Sequence, residues 1–213
     1  MEVQQSKIAA LRAQMNPHFM FNALNSIQAF ILSNRKETAS DYLADFADLM
    51  RKYLDQSQYE EIALSEEIET LEIYLNLESL RYDGEMNYSI NCDSDIEPHE
   101  ISIPIMLLQP YIENAVKHGL MHKEGDKTLK ISFKKITEDR IQCCIEDNGI
   151  GRAASAEINK RRQFKPASFA TEAIDRKMVI VNKNSTRNFK IDIIDLIEND
   201  KGIGTRILIS LDI

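Results

Sequence analysis

Two hydrophobic rhythms share this chain, and the point where one gives way to the other limits what it can fold into. Through about residue 82 the apolar residues recur every three to four positions, the spacing of amphipathic helices. Beyond that point, stretches such as Leu129-Lys130-Ile131-Ser132-Phe133-Lys134 alternate apolar and polar, the pattern of half-buried strands. Helices first and a sheet afterwards predict an α+β chain, with helices layered on one face of a mixed, mostly antiparallel sheet.

The spacing predicts a first helix over residues 3–32, interrupted by Pro17. Proline removes a backbone donor and clashes with the preceding turn, so a kink is expected near 13–17. Met20, Leu24, Ile27 and Ile31 make its apolar stripe; His18, Asn22, Asn25 and Ala29 make a second stripe about 200° away. The plain reading of a lone histidine there is a solvated side chain, and the sharper one is an accessible nucleophile.

A polar break at Asn34–Glu37 precedes a second predicted helix, 38–57. It carries two adjacent stripes, Tyr42, Phe46, Leu49, Tyr53 and Leu43, Ala47, Met50, Leu54. That face is wider than one partner helix covers, so a bundle completed by a second copy of the chain is expected, with packing on the chain's own remainder as the alternative. Ser65 is expected to cap a third helix, with Glu66 and Glu67 in its first turn, ending near Tyr82 at Asp83-Gly84.

Strands are predicted at 86–92, 129–134 and 141–145, and two more near 189–197 and 204–212. Pro104 is expected to open the intervening helix, with Gly119 just past its end. Residues 152–172 show no period and read as a long loop, with a helix after it around Ile174, Met178 and Val181. The chain thus divides into a helical region, 1–60, and a sheet-containing domain, 61–213, with a candidate hinge at 58–64.

At 213 residues there is enough chain for one or two real cores. A net charge of −8 argues against direct binding to nucleic acid or an anionic membrane surface. Cys92, Cys143 and Cys144 have no metal-ligand spacing and read as reduced residues of a cytoplasmic protein. No apolar run approaches the ~20 residues of a membrane-spanning helix. The opening residues already read as helix, which suggests a piece of a longer protein.

Three separated segments carry chemistry. In Glu113-Asn114-Ala115-Val116-Lys117-His118-Gly119, the residues Asn114, Lys117 and His118 fall at i, i+3 and i+4 and share one side of a helix. An amide oxygen suits Mg²⁺, and a lysine and histidine beside it suit phosphate oxygens; the plain alternative is a solvated helix end. In Asp147-Asn148-Gly149-Ile150-Gly151, a carboxylate at a strand end can accept from an exocyclic amine, and the glycines allow close backbone approach. Gly202-Ile203-Gly204-Thr205 adds a hydroxyl at the start of the last strand. Each segment alone is a common turn or helix end.

In this order and spacing, the segments resemble a GHKL-type ATPase domain, the Bergerat fold of sensor histidine kinases. Gln14-x-Asn16-Pro17-His18-Phe19-x-Phe21-Asn22, Arg81, and Gln109-Pro110 before Glu113-Asn114-x-x-x-His118-Gly119 are similar to the LytS/YehU-like family of sensor kinases. The resemblance spans roughly residues 8–213. It implies a Bergerat-type α/β sandwich after a helical dimerisation and phosphoacceptor region, using ATP and Mg²⁺. It implies autophosphorylation of His18 and transfer to an aspartate of a response regulator, often one with a LytTR DNA-binding domain. By the same resemblance Asn114 holds Mg²⁺, Lys117 and His118 meet phosphates, and Asp147 takes the adenine amine. Gly149, Gly151 and Gly204 shape the pocket, Thr205 assists at the base, Glu113 polarises the reacting group, and Asn22 orients His18. The unit that the resemblance implies is a cytoplasmic homodimer, cut from a membrane-anchored parent protein.

One departure stands out. The family usually has a glycine-containing stretch after the lid, whereas this chain reads Ser168-Phe169-Ala170-Thr171-Glu172 and has no glycine between Gly151 and Gly202. A catalytically degenerate GHKL module that dimerises and docks a partner is therefore the alternative. An anti-sigma serine kinase or a DNA-repair-type ATPase fits less well, since neither needs the Pro17-His18-Phe19 helix. His99 and His122 are assigned no function.

Overall fold

The computed structural model describes residues 17–82, 84–161 and 189–213, with Pro17, His18 and residues 159–161 described as backbone only. The expected helix start at 3–16, the kink near 13–17, Asp83, the lid with Ala170, and the helix around 174–181 lie outside the described residues.

Helix α1 (Pro17–Leu32) and helix α2 (Lys36–Gln56) form a hairpin. Asn34 closes α1: its φ of 61° lets the Arg35 N–H donate to Phe30 O at 2.8 Å. That is a left-handed C-terminal cap, which asparagine tolerates better than most residues. The phase of α1 differs from the expected one. The buried residues are Phe19, Ala23 and Phe30, with Ile27 partly buried, while Leu24 is 54% exposed and Ile31 also faces out. Aromatic rings decide this: Phe19 meets Phe46 of α2 and Tyr74, with centroids 6.1 and 5.3 Å apart, and Phe30 meets Tyr42 at 5.6 Å. Burying the Phe19 and Phe30 rings outweighs the thinner aliphatic stripe.

On α2 the Tyr42, Leu49, Tyr53 stripe is buried as expected, and Leu43 and Leu54 of the neighbouring stripe are 51% and 52% exposed. A short strand β1 (Glu61–Ala63) leads directly into α3 (Leu64–Arg81). Ser65 does not cap α3. Ala63 occupies that position, and the Ser65 N–H instead donates to Pro98 O at 3.1 Å. Leu71, Tyr74, Leu75 and Leu77 of α3 are buried in the core.

Strand β2 (Met86–Cys92) is followed by β3 (Ser102–Pro104), which pairs antiparallel with β1. Pro104 therefore ends a strand and does not open a helix. The proline that opens α4 (Gln109–Asn114) is Pro110, in the first turn where its missing N–H costs nothing. Helix α4 runs on into a π-helical turn, Ala115–Leu120, so Gly119 lies inside the turn and not beyond its end.

Strands β4 (Lys127–Thr137) and β5 (Arg140–Asp147) form a hairpin. Helix α5 (Gly151–Arg161) stands where a loop was expected. Among its described side chains, 151–158, the buried positions are Gly151 and Ser155, which add almost nothing to a hydrophobic period. The last hairpin, β6 (Phe189–Glu198) and β7 (Lys201–Asp212), turns at Asn199-Asp200. Both residues have positive φ, 49° and 60°, the two-residue turn whose twist matches a hairpin.

The five-stranded sheet has the order β2-β4-β5-β7-β6, parallel between β2 and β4 and antiparallel elsewhere, so the α+β expectation holds. One face carries Leu129, Ile131, Phe133, Ile141, Cys143, Ile145, Ile207 and Ile209, which share one core with the buried residues of α3 and α4. The other face is polar, with pairs such as Arg206–Glu146 at 2.6 Å. No helix among the described residues is long and apolar enough to cross a membrane.

Candidate nucleotide site

The site is built where β5 ends. Antiparallel pairing places Asp147 opposite Thr205 of β7, and one extra residue on β7, Ile203, accommodates a register shift there. Such bulges re-aim residues beside sites. Asp147 is 3% exposed, and its Oδ1 accepts the Gly149 N–H at 2.8 Å. The Thr205 backbone N–H also donates to this carboxylate. Burial nevertheless outweighs those donors and pushes the Asp147 carboxyl up to about 6.

Three glycines close around this carboxylate, and what they accommodate is the protein's own chain. A Cβ on Gly119 would lie 2.7 Å from Asp147 Oδ1, one on Gly149 would lie 2.4 Å from the Gly119 carbonyl carbon, and one on Gly204 would lie 2.0 Å from Asp147 O. Gly151, at φ 77°, starts α5 with its Cα side against Gly202. The glycines thus let a helical turn, a strand end and a hairpin meet at one carboxylate. Asn148 fixes the same junction: its N–H donates to Thr128 O at 3.1 Å, its Oδ1 accepts the Thr128 N–H at 2.8 Å, and its Nδ2 donates to Asp126 O at 3.1 Å.

The helical piece of the site is α4 and its π turn. Glu113 Oε2 accepts from Lys117 Nζ at 2.9 Å, and Glu113 Oε1 accepts from Gln109 Nε2 at 3.1 Å. Asn114 and Lys117 are partly exposed, so an oxygen ligand and a cation stand at the surface of this turn. His118 is held below its ordinary 6.5 by burial, then by Lys117 and His122. The turn reaches Asp147 through Gly119, whose carbonyl accepts the Ile150 N–H at 3.2 Å. The structure therefore brings Gly119, Asp147, Gly149, Gly204 and Thr205 together, with Glu113, Asn114, Lys117 and His118 on the helical segment that leads to them.

The phosphoacceptor candidates sit on the hairpin. His18 is the second residue of α1, and only its backbone is described. Its neighbour Phe19 is anchored against Tyr74 of α3. Asn22 is partly exposed, one turn further on, and its carbonyl accepts from Ser26 Oγ at 3.0 Å.

Beneath the hairpin, Glu78 of α3 is fully buried and receives Arg81 Nη1 on both carboxylate oxygens at 2.6 Å. Burial pushes Glu78 up, and the Arg81 pairing opposes that shift. Glu67, also buried, accepts the Leu108 N–H at 3.3 Å ahead of α4.

Residues 6–86, which hold the candidate phosphoacceptor and all of α1 to α3, match the model of the histidine kinase family. Over 149 residues, 70% of the chain, it is 32% identical to "Sensor histidine kinase/phosphatase LytS" of Staphylococcus aureus strains Mu50 and N315. Residues 6–86 thus carry the pattern of the histidine kinase family. The chain spans a quarter (25%) of the length of those LytS relatives. Among solved structures, the histidine kinase domain of the Erythrobacter litoralis EL346 blue-light activated kinase superposes with a TM-score of 0.45 at 12% identity, covering 99% of this chain and 94% of that one.

Proposed function

We propose that this chain is the phosphoacceptor and ATP-binding region of a LytS-like sensor histidine kinase, working as a homodimer. The observation that carries the reading is the buried Asp147 carboxylate, caged by Gly119, Gly149 and Gly204 and joined through Gly119 to the Asn114–His118 turn. Adenine needs a fixed acceptor for its amine in a dry setting, and Asp147 supplies one. Phosphates need donors and cations a few residues away, and Lys117 and His118 supply them. Asn114 offers the oxygen ligand that Mg²⁺ accepts alongside phosphate oxygens. Thr205 lies opposite Asp147 to complete the base contact, and Gly151 lets α5 begin against the hairpin.

Mg²⁺, when bound with ATP, spreads the negative charge of the transferring phosphoryl group. The chain's own part is to present His18. Its neutral imidazole attacks the γ-phosphorus, a P–N bond forms, the bond to the β,γ-bridging oxygen breaks, and ADP leaves as the ring sheds its remaining N–H proton. Glu113 polarises the reacting group and Asn22 orients the ring. The phosphoryl group then passes to an aspartate of a response regulator of the LytTR type. ATP as donor sets this region in the cytoplasm.

The exposed Leu24, Ile31, Leu43 and Leu54 on two adjacent helices form the dimer face, which buries them against the same face of a second copy. The hinge proposed between residues 1–60 and 61–213 is the stretch 58–64, which runs from the turn after α2 through β1 to the first residue of α3.

Incubation with γ-labelled ATP and Mg²⁺ tests the reading. Acid-labile, base-stable label on the wild type, lost in His18→Ala, supports it. Absence of label despite nucleotide binding sinks the kinase and leaves a partner-docking module.

A further inference from the structure

Tyr53 is buried in the last turns of α2, yet its hydroxyl is bonded outside the hairpin. Gln109 Nε2 donates to Tyr53 Oη and also to Glu113 Oε1. One amide group has two N–H hydrogens, so a single side chain can bridge both acceptors. Glu113 then receives Lys117 on its other oxygen at 2.9 Å. Gln109, Glu113 and Lys117 follow one another at four-residue steps, and together they run from the hairpin to the candidate phosphate site. The same turns of α2 are fastened to α3 by Gln56 Nε2 to Thr70 Oγ1 and by Lys52 Nζ to Glu69 Oε2, both at 2.9 Å.

We propose that Tyr53 is a positioning residue for phosphoryl transfer, fixing Glu113 and its Lys117 partner through the Gln109 amide. The inference rests on the kinase reading above. Movement of the end of α2 takes the tyrosine oxygen with it, and Gln109 then has no fixed reason to hold Glu113 in one rotamer. The Glu113–Lys117 pair survives but swings as a unit. Adenine recognition at Asp147 does not depend on this chain of bonds. The consequence falls on the rate with nucleotide bound and spares the affinity. A change in the helical hairpin is thereby written into the geometry at the phosphates. Burial, then Glu113 and Glu67, holds the Tyr53 hydroxyl well above its ordinary 10, so it keeps its proton at every working pH.

The test compares wild type, Tyr53→Phe, Gln109→Met and the double variant, all near wild-type shape. Label uptake from γ-labelled ATP is followed at saturating ATP, and ADP affinity by calorimetry. The expected result is roughly a five- to tenfold slower rate in each single variant, with ADP affinity within about twofold of wild type. The double variant is no slower than either single one, because both changes cut the same connection. A Tyr53→Phe rate within twofold of wild type, losses that multiply in the double variant, or a loss confined to ADP affinity overturns the proposal. Should wild type take up no label, the kinase reading fails separately, and amide hydrogen exchange decides the coupling. Residues 113–118 are then expected to exchange about fivefold faster in Tyr53→Phe while β4 and β5 are unchanged. Unchanged exchange at 113–118 overturns the coupling as well.

Discussion

Replacing Asp147 by asparagine separates two things that this carboxylate does. Burial raises it from an ordinary 3.8 to about 6. A carboxyl that is easier to protonate when folded stabilises the fold in its protonated form. Its contribution is fully present below about 3.8 and is lost as pH rises through 6. A shift of about two units corresponds to roughly 3 kcal/mol over the whole range. Integrating between pH 7.5 and pH 5 gives roughly 1.4 kcal/mol gained by the wild type on acidification. Asparagine keeps an oxygen for the Gly149 N–H and carries no charge at either pH. The stability of Asp147→Asn relative to wild type should therefore drop by about 1.4 kcal/mol from pH 7.5 to pH 5. Every other carboxylate titrates alike in both proteins and cancels. Paired urea melts at the two pH values measure the difference directly. A relative stability that is the same at both values, or that rises toward acid, refutes a buried, strained charge at this position. The same variant should bind ADP at least about tenfold more weakly, since an amide N–H then faces the adenine amine.

Gly204→Ala should be the harshest single-methyl change in the chain, costing at least ~3 kcal/mol, because the added carbon meets Asp147 O with no flexible neighbour to yield; the urea midpoint reports it. Phe19→Ala empties a ring site between α1, α2 and α3 and should cost about 3–5 kcal/mol by the same measure. Glu78→Ala leaves Arg81 partly buried without its partner and should cost ~3 kcal/mol, whereas Glu78→Gln should cost less. His118 should titrate below 6.5 in an NMR experiment, and a midpoint above 6.5 would contradict its described surroundings.

Strands β4, β5 and β7 were legible because each has one buried face, and alternation records that faithfully, whereas the three-residue β1 and β3 leave no such pattern. Leu129 to Phe133 and Ile141 to Ile145 read correctly for this reason. The site segments were legible only through their order and spacing together, since each alone is a common turn or helix end. What escaped was anything decided by shape. The aliphatic stripe on α1 is real but lost to Phe19 and Phe30, whose rings bury more surface. Helix α5 escaped because glycine and serine make its inner face. Pro104 and Pro110 each suit a helix start, and only the pairing of β3 with β1 separates them. The bridge from Tyr53 to Glu113 joins residues 60 positions apart, and no local pattern announces it.

The π turn sets a length that substitution cannot adjust. An α-helical turn over 115–120 would need one residue fewer to reach the same place. Removing a residue between Val116 and Gly119 would restore ordinary pitch, and it would then force a choice. Either Lys117 stays with Glu113 or Gly119 stays under Asp147, because a rigid rod one residue shorter reaches only one of them. The interval from Glu113 to Gly119 thus behaves as a ruler with a single permitted reading. Chain-length changes there should be far more damaging than most side-chain changes, while the exposed Glu124-Gly125 pair, between the Lys123 and Asp126 contacts to Asn148, is the place where added residues can be absorbed.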